Sequence, residues 1–265
     1  MEDDHAHRPA AILTGMRDLP SAHSCSFNVL SMLLLAADTS GKQGSIALAE
    51  CDANSVESCV VLEAAPLSGG AFSAQLVPQI ALLLEKHKYA KNDLGAFAVA
   101  SGPGSFTGLR VGLAAIKALS EALQKPIAAV SVLEAVAWSG KSRGRVLAAL
   151  DAGRGDVYVG DYELRPHVRM HSERLLSREE FRVEAESAAQ SQKTIVTPNS
   201  ILVEALRAAN GATQSAVELI EYPASSVIAD LGCQHLQRGE TVRPEDLDAN
   251  YIRRSDAEIF SKPAS

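Results

Sequence analysis

Two separated stretches of this 265-residue chain share one form. Leu33–Ala37 is an apolar run that ends in Asp38, passes through Thr39-Ser40-Gly41, and leads into a second run, Ser45–Ala49. Val146–Leu150 ends in Asp151, passes through Ala152-Gly153-Arg154, and leads into Val157–Gly160. Apolar runs of this length, joined by a glycine-containing turn, predict β-hairpins. A form that recurs within one chain points to duplicated architecture. Asp also caps its own backbone in ordinary turns, so the pair of hairpins is nearly balanced against coincidence. The order of elements after the first copy favours duplication.

That order reads as follows. A third extended stretch, Cys59–Leu62, comes after the first hairpin. Ser73 to Lys88 predicts a helix with Leu76, Ile80, Leu83 and Leu84 on one face, starting late or bending at Pro78. A buried strand at Ala96–Ala100, a helix over about Ser105 to Gln124, and a strand at Ile127–Val130 complete the first half. The second half predicts helices over Arg178–Gln190 and Ser200–Asn210, a strand at Thr194–Thr197, and a last helix over about Ala224–Arg238. Three hairpin-like strands followed by alternating helix and strand resemble an RNase H-like half. Doubled, they resemble the actin, sugar-kinase and Hsp70 superfamily, whose two lobes face each other across a nucleotide cleft. The expected fold class is therefore α/β, a duplicated RNase H-like, actin-like two-lobed fold with a degenerate nucleotide cleft. The expected division is a flexible extension at 1–31, lobes at 32–137 and 138–223, and at 224–265 a helix packing back on the first lobe plus a polar tail. Met32 is a candidate start.

The most distinctive string is Ser101-Gly102-Pro103-Gly104-Ser105-Phe106-Thr107-Gly108-Leu109-Arg110, between a strand and a helix. Glycine-freed amides at a helix N-terminus can receive an anion. The string lacks the Gly-Lys-Ser/Thr ending of a P-loop, and its last two glycines are one residue too far apart for a dinucleotide loop. From spacing alone a purely structural role is slightly favoured: Ser105 as N-cap, with Gly108 and Gly112 allowing close packing. If the duplication holds, Asp38 and Asp151 face each other across a cleft, as carboxylates that position Mg²⁺ and phosphates do. No general base stands out. His167 and His171 have helical metal spacing, but they lie in an extended stretch, where i and i+4 are about 13 Å apart. They read as surface histidines, as do His5 and His7.

Composition narrows the partners. Thirty-two acids against 25 bases give a net charge of −7, which argues against a surface that grips nucleic acid by itself. The four cysteines contain no C-x-x-C pair and read as reduced thiols in a cytoplasmic protein. No apolar run is long enough to span a bilayer.

Asp38-Thr39-Ser40, the Gly102–Arg110 string, the Leu150–Tyr158 hairpin and the tail Asn250-Tyr251-Ile252-Arg253-Arg254 together resemble the TsaB (YeaZ) family, over about Met32 to Phe260. The resemblance implies a non-catalytic subunit. It would bind and activate a TsaD-type paralogue that transfers threonylcarbamoyl to a tRNA adenosine, joined by a TsaE-type ATPase. It implies no catalytic residue and no metal or cofactor of its own, with ATP or ADP and a divalent metal expected in the partner. tRNA would be met through the complex only, and a homodimer could form alone. Asp38, Thr39, Ser40, Gly102, Gly104, Ser105, Gly108 and Asp151 would be a vestigial phosphate-loop-like set. Pairing would use the two first-lobe helices: Leu76, Ile80, Leu83 and Leu84 on one, with Ile80 and Leu84 central. On the other it would use Arg110, Val111, Ala114 and Ala115, with Ala118, Leu119 and Ala122 one and two turns on, and Ala115 and Leu119 central. The region Gly69–Gln75 lacks the histidine pair of TsaD-like members and has Phe72 where many TsaB sequences place a histidine. The alternatives are an actin-like kinase or ATPase working in the cleft, and a metallopeptidase.

Overall fold

The computed structural model describes residues 31–52, 59–67, 72–165, 168–209 and 216–253. Nearly all of the expected extension, the stretch preceding Phe72, His167 and the end of the tail lie outside these. β1 (Ser31–Asp38), β2 (Gly44–Asp52) and β3 (Cys59–Leu67) form an antiparallel meander. α1 (Phe72–Lys86) leads to β4 (Leu94–Gly102), α2 (Phe106–Leu123) to β5 (Ile127–Ser131), and β4 and β5 join β1 in parallel. The sheet order is β3-β2-β1-β4-β5. α3 (Val132–Ser139) follows.

The second half repeats this element for element. β6 (Arg145–Gly153), β7 (Asp156–Glu163) and β8 (Arg169–Ser177) are antiparallel. α4 (Arg178–Gln190), β9 (Thr194–Thr197), α5 (Ser200–Ala209), β10 (Val217–Leu219) and α6 (Ser225–Gln237) follow, with β9 and β10 parallel to β6. The order β8-β7-β6-β9-β10 is the first sheet's order again. Two RNase H-like halves make a duplicated actin-like fold, as the paired Asp hairpins predict.

Strand alternation decides what covers each face. Leu33, Leu35 and Ala37 of β1 point to the layer made by α1 and α2, where they meet Leu76, Ile80 and Ile116. Leu34 and Ala36 point the other way, into a core rich in small residues, with Ala47, Ala96, Ala98 and Ala128. The helix packed there is α6, which crosses β1 to β5 although it belongs to the second half. Small side chains allow the close approach: a methyl on Gly232 would strike Ala98. Conversely, α3 closes the first half yet packs chiefly on β6 and β7 of the second. Each sheet is thus finished by the other half's last helix. α3 and α6 are joined by His235 Nε2 to Glu134 Oε1 at 2.8 Å, and by Trp138 Nε1 donating to Asp230 Oδ2 at 2.7 Å.

Three expectations need correction. α1 neither starts late nor waits for Pro78; it begins at Phe72, with Pro78 inside it. Helix α3, absent from the sequence reading, occupies Val132–Ser139. The face of α1 bearing Leu76, Ile80, Leu83 and Leu84, expected to meet a partner, is between 1% and 5% exposed and lies in the chain's own core. Its apolar period marks the side turned to the sheet.

Candidate functional site

Two surfaces collect the residues singled out by sequence. The first is an inter-lobe cleft of about 800 Å³. It is lined by the β1–β2 turn from Ser40 to Ser45, by Pro103–Ser105, by Leu150–Ala152, and by Asn199 and Tyr222. Asp151 borders it, its backbone N–H bonded to Asn199 Oδ1 at 2.9 Å and its carboxylate 3.6 Å from Arg178. Asp38 does not face Asp151 across this space. It is 2% exposed, and its Oδ1 accepts from the Ser40 N–H at 2.8 Å and the Ser40 hydroxyl at 2.5 Å. This is an Asx turn, the ordinary use of Asp at a hairpin. Burial pushes the Asp38 carboxyl above its usual value of 3.8, against the two bonds from Ser40. The Ser40 and Tyr222 hydroxyls lie 3.0 Å apart and close the turn over it. Burial, then the nearby Asp38 charge, raises the Tyr222 phenol.

The glycine string is consumed by the same turn. Ser105 N–H donates to Ser40 O at 2.7 Å, and Thr39 Oγ1 donates to Gly108 O at 2.7 Å. A methyl on Gly104 would stand 2.5 Å from Ser40 O, and methyls on Gly108 or Gly112 would strike the Thr39 carbonyl oxygen or hydroxyl. Ser105 caps α2 by accepting from Gly108 N–H at 3.3 Å. Gly102 has φ +116° and is the last residue of β4, beside Ser101, whose carbonyl oxygen accepts from Asn250 N–H at 2.7 Å. The glycines therefore let Thr39 and Ser40 dock on the start of α2. The tail motif acts as a strap. Asn250 Nδ2 donates to Glu173 Oε2 at 2.6 Å, and Arg253 binds Asp156 and the Ala152 carbonyl. Glu173 also takes the Ser131 and Tyr162 hydroxyls, tying both halves together. Tyr222, Asn199 and Glu173 escaped the sequence reading, because none belongs to a local motif.

The second surface is the outer face of α1 and α2. Between the N-terminal halves of the helices runs a groove of about 480 Å³, lined by Ser73, Val77, Phe106, Arg110, Val111 and Ala114 among others. Val77 and Leu82 are 57% and 56% exposed. Arg110, Ala114, Ala118 and Ala122 form an exposed stripe at four-residue spacing, with Val111, Ala115 and Leu119 half-buried beside it. The Arg110 guanidinium sits 3.8 Å over the Phe106 ring, which lies 5.3 Å from Tyr251. This cation–aromatic stack at the groove's mouth holds Phe106 out in solvent. Leu76 touches the groove's floor, while Ile80, Leu83 and Leu84 belong to the core beneath.

Among the described residues the cleft gathers no group of three metal-capable side chains, and no helix is long and apolar enough to cross a membrane. His171 lies on β8, 3.7 Å from Glu163.

Comparison with known proteins agrees with this architecture. A family model described as TsaD, tRNA N6-adenosine threonylcarbamoyltransferase, matches residues 67–171. The tRNA threonylcarbamoyladenosine biosynthesis protein TsaB of Bacillus subtilis is 37% identical over 135 residues, 51% of this chain and 56% of that relative. The chain thus spans little more than half of the Bacillus protein. The Escherichia coli protein of the same name is 26% identical over 189 residues, 69% of this chain and 81% of the relative. The solved structure of YeaZ from Pseudomonas aeruginosa superimposes with a TM-score of 0.66 at 28% identity, covering 83% of this chain and 99% of that one. Sequence motifs, the doubled topology and these likenesses converge: the chain is similar to the TsaB (YeaZ) proteins in sequence and in fold.

Proposed function

We propose that this protein works in tRNA threonylcarbamoyladenosine biosynthesis as a non-catalytic subunit that binds and activates a TsaD-type threonylcarbamoyltransferase. The observation that carries the reading is the outer α1–α2 face. Val77 and Leu82 lie open to water, and the small-residue stripe Ala114-Ala118-Ala122 leaves room for a facing helix to approach. A stable pair buries on the order of 1,200–2,000 Å² in total, and two helices with the groove between them offer a platform on that scale. A paralogue of the same fold presents a matching helix pair, so a heterodimer, or a homodimer when the paralogue is missing, is the expected assembly. A TsaE-type ATPase would join it, and ATP or ADP and a divalent metal belong to the partner.

The closed turn supports the non-catalytic part. A kinase-like or ATPase-like use of the cleft needs the carboxylate of Asp38 free to meet Mg²⁺, yet Ser40 and Tyr222 cover it. No observation favours a metallopeptidase. The protein would meet tRNA only within the complex, in the cytoplasm, consistent with its net negative charge. The test is co-purification with a TsaD-type protein, scored by tRNA modification with and without this subunit. Ala118→Arg, on the exposed stripe, should abolish pairing and modification while leaving the melting curve intact. Undiminished pairing by Ala118→Arg, or ATP turnover by the isolated chain, would overturn the proposal.

A further inference from the structure

Cysteines far apart in sequence meet at one point of the fold. Cys51 and Cys59 are paired directly opposite each other on β2 and β3. Cys233 comes from α6, which lies across those strands. The three Sγ atoms are all within 4.8 Å of one another. Cys51 and Cys233 are 1% exposed, whereas Cys59 is half-buried and provides a way in from solvent. All three are free thiols.

We propose that Cys51, Cys59 and Cys233 form a tri-thiolate site for a thiophilic d¹⁰ metal ion, zinc or monovalent copper. The geometry fits: metal–sulfur bonds of about 2.3 Å in tetrahedral array separate the sulfurs by about 3.8 Å, so the trio closes on an ion by modest side-chain shifts. The donor set selects the ion class. No carboxylate belongs to the cluster, which disfavours hard cations such as magnesium and calcium, while three sulfurs favour zinc or copper(I). Gln237, one turn along α6, directs its Nε2–H at the Cys233 sulfur from 3.7 Å and also donates to Asp52 O at 2.7 Å. Such a donor orients a ligating sulfur and offsets part of its charge. Binding breaks three S–H bonds, forms three S–metal bonds and releases three protons to solvent. Zinc would keep a fourth position for a water or an outside ligand; copper(I) would be satisfied by three sulfurs. The ion would pin α6 to the sheet it crosses, a role independent of the partner-subunit reading.

The experiment uses the full chain, kept reduced. It is incubated with zinc or, in a separate arm, with copper(I) under argon, gel-filtered against a competing chelator, and assayed for metal per protein. Retention of one equivalent by the wild type and by Cys25→Ser, together with a higher melting temperature in metal, is expected. Cys59→Ser and Cys233→Ala should lose both. If Cys233→Ala fails to fold, Cys59→Ser, at the half-buried position, decides alone. Cobalt(II) should give a near-ultraviolet sulfur-to-metal charge-transfer band that Cys59→Ser abolishes. The proposal is overturned if neither ion is retained, if Cys59→Ser retains as much as the wild type, or if a Cys51–Cys59 disulfide persists under reductant.

Discussion

Gly108→Ala tests whether the glycine string is an internal clasp. Gly108 is the third residue of α2, and an added methyl would lie far inside 3.0 Å of the Thr39 carbonyl oxygen, with the Thr39 carbonyl carbon and Ser105 Oγ both 3.3 Å away. The obstacle is backbone, so relief requires moving the β1–β2 turn off the helix. Overpacking of this kind costs about 1–3 kcal/mol. Separating the turn also weakens the bond from Thr39 Oγ1 to Gly108 O, about 1 kcal/mol net. Against this, alanine is favoured over glycine in a helix by about 1 kcal/mol. The balance is a loss of about 1–3 kcal/mol, which for a chain of this size lowers the melting temperature by about 2–10 °C. Trp138 is the single tryptophan and lies on α3 with its indole bonded to Asp230 of α6, so its fluorescence reports the melt. Gly144→Ala is the control, since nothing lies closer than 4.0 Å to its added carbon; it should change stability by less than about 0.5 kcal/mol. A Gly108→Ala protein as stable as the wild type, or more so, would mean that the string is not packed against Thr39 and that its glycines serve a ligand.

Asp38→Asn keeps an oxygen for Ser40 but removes a carboxyl whose pKa burial raises above 3.8. A raised acid binds more protons folded than unfolded, so its contribution to stability falls as pH rises from about 4. The melting temperature of the variant minus that of the wild type should therefore increase as pH rises from about 4 and level off once the raised folded pKa is passed, and a difference flat from pH 4 upward would refute the assignment. Trp138→Phe takes the indole donor from Asp230, a half-buried carboxyl already raised by burial. A loss of about 1–2 kcal/mol is expected, followed by circular dichroism, and it should deepen as pH rises; a loss independent of pH would count against it. Gly232→Ala should cost about 1–3 kcal/mol despite the better helix propensity, because its methyl meets Ala98; thermal melting that shows a gain would contradict the close packing of α6.

The doubled hairpins, the order of elements and most helix limits were readable because each rests on a local pattern: apolar runs joined by glycine-containing turns, the apolar stripe of α1, and the Ser105 cap of α2. α3 escaped because Val132–Ala137 is buried on every side, and a helix apolar all round has no stripe to find. The partner face was misjudged on α1 for a related reason. Apolar residues at i, i+4 and i+7 identify whichever side is covered, and on Leu76, Ile80 and Leu83 the chain covers its own. The exposed Val77 and Leu82 read as scatter until the helix is laid on its sheet. Asp38 carried the right turn but the wrong orientation, which only Ser40 and Tyr222 decide. The three convergent cysteines depend on which sheet α6 crosses, and nothing in their spacing encodes that.

The exchange of final helices makes the two halves mutual hostages during folding. A fragment ending before Ser225 would leave the alanine-lined back of the first sheet bare, and one beginning after Ser139 would strip the back of the second. Expressed separately, they should be insoluble and recover only when mixed. The same interlock couples the two sheets, since each half seats its last helix on the other half's sheet.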